Sequence, residues 1–204
     1  MPRPAGLILV LAALGPVPLL AQEAPCPETL RVLQSEDPQS VDLRLDTPCR
    51  PYEALTITYG PLVLHEEVSD LGTLTLRLPR LNGVTSLDLH GTGLTLSAVL
   101  PDGPIAMVTA VDWGDGPAWA QVHVPGARQD QLGFHPDDGA AHLDLAIGGT
   151  APPVLIAPLT PQTCGQVFSA TVLLPDRSQT LPLEMRMPDC AQAETGTVTL
   201  SLGQ

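Results

Sequence analysis

The chain of 204 residues contains no lysine, and only 3% of it is aromatic, with two residues each of tryptophan, tyrosine and phenylalanine. Each scarcity excludes something. Nine arginines against 22 acidic residues give a formal charge of −13. A surface of that sign repels phosphate backbones and anionic membranes, so no nucleic-acid partner is expected. Carbohydrate modules and peptide grooves usually present aromatic platforms, and there is little material here for one. The core must be assembled from Leu, Val, Ile and Ala instead. Missing lysine beside abundant Ala, Leu, Pro and Gly also resembles GC-rich coding, a property of the genome and not of function. Beyond the N-terminus no uncharged apolar run approaches the roughly 20 residues that a spanning helix needs.

What is present begins with a leader. Residues 1–21 read MPRPAGLILVLAALGPVPLLA: Arg3 supplies a positive start, Leu7 to Leu14 a short apolar run, and Ala21 a small residue before a cleavage point. Pro16 and Pro18 interrupt the run, which argues against a buried helix or an anchor. A cleaved signal peptide is the expectation, and no membrane span follows its removal. Cys26 sits several residues too late for a lipoprotein. Loss of Arg3 takes one positive charge from −13, leaving −14 for a mature chain whose acidity simple solubility accounts for.

Export sets the meaning of the four cysteines, Cys26, Cys49, Cys164 and Cys190. In an oxidising compartment an even count reads first as disulfides. Four cysteines allow three connectivities. Loop closure favours, weakly, Cys26 with Cys49 and Cys164 with Cys190, each stabilising by roughly 3–4 kcal/mol in the chain-entropy model. None has the CxxC-like spacing with nearby histidines of a zinc site.

Period-two alternation dominates the rest. Val41 to Leu45, Leu74 to Leu78, Leu143 to Leu145, Leu181 to Met187 and Val198 to Leu202 each put apolar side chains on one face and polar ones on the other, as half-buried antiparallel strands do. Further strands are expected at 55–59, 62–68, 84–89, 94–100, 105–111, 118–124, 154–157 and 166–174. Turn chemistry separates them, as in Asn82-Gly83, Pro101-Asp102-Gly103-Pro104 and Asp137-Asp138-Gly139. Pro27 to Ser35 permits a helix or a first strand. Many short strands at about ten-residue spacing describe an all-β protein of one or two antiparallel sandwich units. One division gives a first sandwich at 22–111 and a second β-rich unit at 112–204, with a cysteine pair in each. A single larger sandwich is the alternative.

Cys49 to Leu81, CRPYEALTITYGPLVLHEEVSDLGTLTLRLPRL, carries a C-x-P start, strand–turn–strand, a D-x-x-G turn, a third strand and P-x-L. It resembles exported proteins with a carboxypeptidase-regulatory-like, or transthyretin-like, N-terminal β-sandwich. Cys164-Gly165 and Met187-Pro188-Asp189-Cys190 resemble the C-terminal part of one uncharacterised family of such proteins in Gram-negative bacteria, often labelled translocases. The resemblance implies a sandwich fold and no catalytic residues. Trp113 to Pro136 departs from the pattern, and with no ATP-binding loop or multiple spans, neither a motor nor a pore is expected.

Candidate chemistry is sparse. His135, Asp137, Asp138, His142 and Asp144 form the densest polar cluster. His135, Asp137, His142 and Asp144 could surround a divalent metal, His142 and Asp144 sharing one strand face; a solvated hairpin turn flanked by surface histidines is the plainer reading. Asp112-Trp113-Gly114-Asp115-Gly116 lacks the further acids of a calcium loop and reads as a tight turn beside a core tryptophan. His65-Glu66-Glu67 reads as an exposed strand edge, and His90-Gly91-Thr92-Gly93 as a hairpin turn. No serine sits in a GxSxG elbow. No catalytic residue and no cofactor is assigned. The leading expectation is a periplasmic or secreted non-enzymatic module that binds a protein or envelope component by loop contacts or by strand addition at a sheet edge. A metal-dependent hydrolase and a self-associating structural protein are the alternatives.

Overall fold

The computed structural model describes residues 26–114, 120–133, 142–175, 177–189, 191 and 196–202. Among them the protein is all-β, with fifteen strands in four antiparallel sheets packed together. A three-stranded sheet joins β1 (Thr29–Gln34), β2 (Ser40–Asp46) and β5 (Thr73–Pro79) in the order β1-β2-β5. Beside it, β3 (Ala54–Tyr59), β4 (Leu62–Glu67), β6 (Ser86–Gly91) and β7 (Leu94–Val99) run in the order β4-β3-β6-β7. Pro27 to Ser35, open to helix or strand by sequence, is a strand paired along its length with β2.

These two sheets enclose the larger core. Val41, Leu43 and Leu45 of β2, Leu55, Ile57 and Tyr59 of β3, and Leu87 and Leu89 of β6 are all at most 2% exposed. Alternation puts each of these sets on one strand face, and complete burial of one such side chain contributes about 1.5–3 kcal/mol. Tyr59 keeps its phenol satisfied by donating to Pro79 O at 2.8 Å, and burial pushes its pKa up to about 12.

The third sheet is a shared wall. It orders β8 (Val108–Asp112), β10 (Arg128–Leu132), β11 (Leu143–Ile147), β13 (Val167–Leu173) and β14 (Leu181–Arg186) as β10-β11-β8-β13-β14. Val108, Ala110, Leu143, Leu145, Ile147 and Leu173 face the larger core. Val111 and Ala146, on the opposite face, join a second core with Trp113, Val122, Leu155, Phe168 and Met185. Central strands buried on both faces lose the apolar–polar alternation that marks half-exposed ones. The fourth sheet covers this second core with β9 (Gln121–His123), β12 (Val154–Leu159) and β15 (Gly196–Ser201), ordered β15-β12-β9. Residues 111 and 112, where the sequence suggested a division, are the last two of β8, and the cores on its two sides both draw on that strand.

Two arginines tie loops to this frame. Arg80, 5% exposed, donates to the carbonyls of Pro38, at 3.1 Å, and Pro101. Arg50 reaches Glu28 at 2.8 Å, Glu53 at 3.1 Å and the carbonyls of Thr92 and Gly93, fixing the β6–β7 turn beside the N-terminal segment. Cys26 and Cys49 form a disulfide, their Cα atoms 5.9 Å apart. Cys164 is also disulfide-bonded; Cys190, its expected partner, lies outside the described residues.

Candidate functional site

The sequence expectation of a metal cluster divides in the structure. His135 and Asp137 lie outside the described residues. His142 and Asp144 are both buried, at 3% and 5% exposure, but they serve different neighbours. His142 lies one residue before β11; its Nε2 is 3.4 Å from Val63 O, and its ring stacks obliquely on His65 with centroids 5.4 Å apart. Its Nδ1 has no hydrogen-bond partner among the described residues. Asp144 is committed elsewhere: Oδ2 accepts the Trp113 indole N–H at 3.0 Å and Oδ1 accepts the Gln131 amide at 2.7 Å. Among the described residues no three His, Cys, Asp or Glu side chains are placed to hold a metal ion.

The other sequence candidates are structural. Gly114 N–H donates to Asp112 Oδ1 at 2.8 Å, and Trp113 is buried beside it, as a tight turn against a core tryptophan requires. Asp115 and Gly116 lie outside the described residues. His90 and Gly91 end β6, and Thr92-Gly93 turn the chain into β7. His65 and Glu67 are exposed, but Glu66 turns inward and accepts the Gly133 N–H at 2.9 Å. Burial there raises the Glu66 pKa, partly offset by that bond.

The feature that sequence reading missed lies around Asp144. Arg128-Gln129-Asp130-Gln131-Leu132 has no apolar alternation, yet it pairs with β11 in full register, Gln131 opposite Asp144 and Gln129 opposite Ala146. It is an edge strand, where polar side chains are the rule. Asp144 and Ala146 face the second core, so Gln129 and Gln131, opposite them, stand on the same face of the sheet.

Above that face the covering sheet stops short. It has three strands over five, and β9, its terminal strand, packs on β11 and β8, with β10 the next strand out in the larger sheet. β9 pairs with β12 through Gln121, Val122 and His123, and its other edge has no strand beside it among the described residues. Between this edge and the floor lies a cleft of about 530 Å³. Gln121, Val122 and His123 form its wall, Gln129, Asp130 and Gln131 its outer floor, and Asp144 its inner floor. Gln121, His123, Gln129 and Gln131 are exposed.

The electrostatics have one sign. Asp144 forms no ion pair among the described residues, its two partners being neutral donors. Among the described residues the cation near Asp130 is Arg128, 4.0 Å away, which also reaches Asp37 at 3.3 Å. A carboxylate offers about four acceptor positions, and among the described residues two of those on Asp144 are used.

No family model, curated protein or solved structure matches the chain. The chemistry of the cleft therefore rests on its own geometry. A strand edge with no strand beside it among the described residues, next to a polar cleft lined by two acidic side chains, can hydrogen-bond an extended backbone along one side and take up that segment's polar or cationic side chains on the other.

Proposed function

We propose that this is an exported, non-enzymatic β-sandwich protein, periplasmic or secreted, that holds a protein partner by strand addition at the free edge of β9. The observation that carries the reading is that, among the described residues, no fourth strand covers β10, so that β9 has no strand on one side beside a cleft of about 530 Å³. Unpaired strand edges template further pairing unless they are blocked by shortness, charge, bulges, prolines or cover, and Gln121-Val122-His123, a short edge of three residues, carries no proline or formal charge apart from what His123 gains on protonation. The Cys26–Cys49 disulfide fits an oxidising compartment. Among the described residues no helix is long and apolar enough to cross a membrane. The likeness of Cys49 to Leu81 to exported transthyretin-like sandwiches points to the same compartment.

The test uses the intact oxidised protein with a photo-crosslinking side chain at Gln121 or, as control, at Thr199 on β15, the opposite edge of the same sheet. In cells exporting the protein, a discrete adduct at position 121 and none at 199 is expected. Equal adducts at both positions, or none at 121, would overturn strand addition at β9. Metal analysis of the purified protein addresses the hydrolase alternative. Stoichiometric zinc or calcium that disappears in His142→Ala would replace a binding module with a metal enzyme. An adduct at 121 consisting of two copies of this chain would make the partner the protein itself.

A further inference from the structure

We infer that the strand accepted at β9 is basic, with an arginine or lysine directed at Asp144. This rests on the reading of β9 as the partner edge and adds the chemistry of the partner. The floor beneath the missing strand is not apolar, as the underside of a structural cover would be. It consists of Gln129, Gln131 and the Asp144 carboxylate, with Asp130 at its margin. Asp144 is 95% buried and has no cationic partner among the described residues. Buried carboxylates are ordinarily paired, because desolvation disfavours an isolated charge.

The geometry selects the type of side chain. A strand added beside β9 runs about 4.8 Å from it, and alternate side chains point toward the floor of a sandwich whose sheets lie about 10 Å apart. Arginine and lysine are the side chains long enough to place a cation on a carboxylate across that gap, with their methylenes passing the Val122 side of β9 on the way. The glutamine amides flanking Asp144 can accept from the same guanidinium or ammonium and donate to neighbouring hydroxyls. An alternating basic–hydroxyl segment thus matches the cleft on both its backbone and side-chain sides. The overall charge of −13 favours approach of such a segment and disfavours an acidic one.

The test measures binding of three synthetic peptides to the intact oxidised protein by fluorescence anisotropy. One alternates threonine with arginine, one threonine with glutamine, one threonine with glutamate. The arginine peptide should bind at least about tenfold more tightly than the glutamine peptide, and the glutamate peptide should not bind. Asp144→Asn should remove most of that preference. Because Asp144 also holds Trp113, a second variant, Gln129→Arg, places a positive charge at an exposed position of the floor; it should weaken the arginine peptide by about tenfold or more with folding unchanged. Equal affinity for the arginine and glutamine peptides, both lost on backbone N-methylation, would overturn the basic preference and leave strand addition standing. An arginine preference insensitive to N-methylation would do the reverse. No binding by any peptide would overturn both, and so would an arginine preference unaffected by both Asp144→Asn and Gln129→Arg.

Discussion

Trp113 donates its indole N–H to Asp144 Oδ2 at 3.0 Å across 31 residues of chain, joining the turn after β8 to the middle of β11. The bond puts the largest side chain of the second core and the only buried acid of the cleft in a single unit. With the basic partner strand proposed above, stability and binding would be coupled at Asp144.

Trp113→Phe removes the donor and leaves a buried carboxylate with one partner. A loss of about 2–4 kcal/mol is expected from the missing charge-assisted bond and the reduced volume. The urea midpoint measures it; a change below about 0.5 kcal/mol would mean that the bond contributes little.

Gly133 and Gly83 form a matched pair. Both have positive φ, 78° and 75°, but a Cβ on Gly133 would overlap the His142 ring, whereas one on Gly83 meets open space. Gly83→Ala should cost about 1 kcal/mol, the ordinary backbone penalty. Gly133→Ala should cost at least about 2 kcal/mol more, because His142 is buried and must move. Equal losses in denaturant titration would show that the His142 ring yields freely.

Glu66 gives a pH dependence with a definite sign. Burial raises its folded pKa, so the folded state holds this proton more tightly than the unfolded chain does. Its contribution to stability is fully present below the unfolded carboxylate pKa and is lost as pH rises through the raised value. Glu66→Gln keeps an acceptor for the Gly133 N–H and removes the ionisation. The variant should be more stable than the parent at neutral pH, with the difference closing in acid. Thermal melts across that range check it, and a gap that widens in acid would contradict it.

Arg80 is buried, its partners among the described residues are carbonyls, and it pins the Pro38 and Pro101 loops. Arg80→Met should cost about 3 kcal/mol by leaving those carbonyls unpaired. Faster amide exchange from Asp102 to Ala106 should accompany it. A stability loss with exchange unchanged in that loop would contradict the clamp.

How far the sequence foretold this depends on which faces water wets. β2, β5 and β15 were legible because one face is buried and the other is not, so Val41, Leu43 and Leu45 alternate with polar neighbours. The same logic misled at Asp144: its alternation with Leu143 and Leu145 suggested solvent, but a second sheet covers that face. β10 gave no signal, since a strand hanging beyond its covering sheet needs no apolar side. The cleft was hidden for the same reason, being defined by a strand that the covering sheet lacks. The Cys26–Cys49 pairing agrees with the weak preference from loop closure over 23 residues, which alone left three connectivities open. Alternation with Leu62 and Leu64 turns Glu66 inward, but no local pattern announces its partner Gly133, 67 residues away.

The most direct test of β9 as a partner edge is residue-resolved amide hydrogen exchange with and without the threonine–arginine peptide. Slowed exchange at Gln121, Val122 or His123, with β15 unchanged, is the expected result. Protection that falls elsewhere, with β9 exchanging as in the free protein, would contradict it.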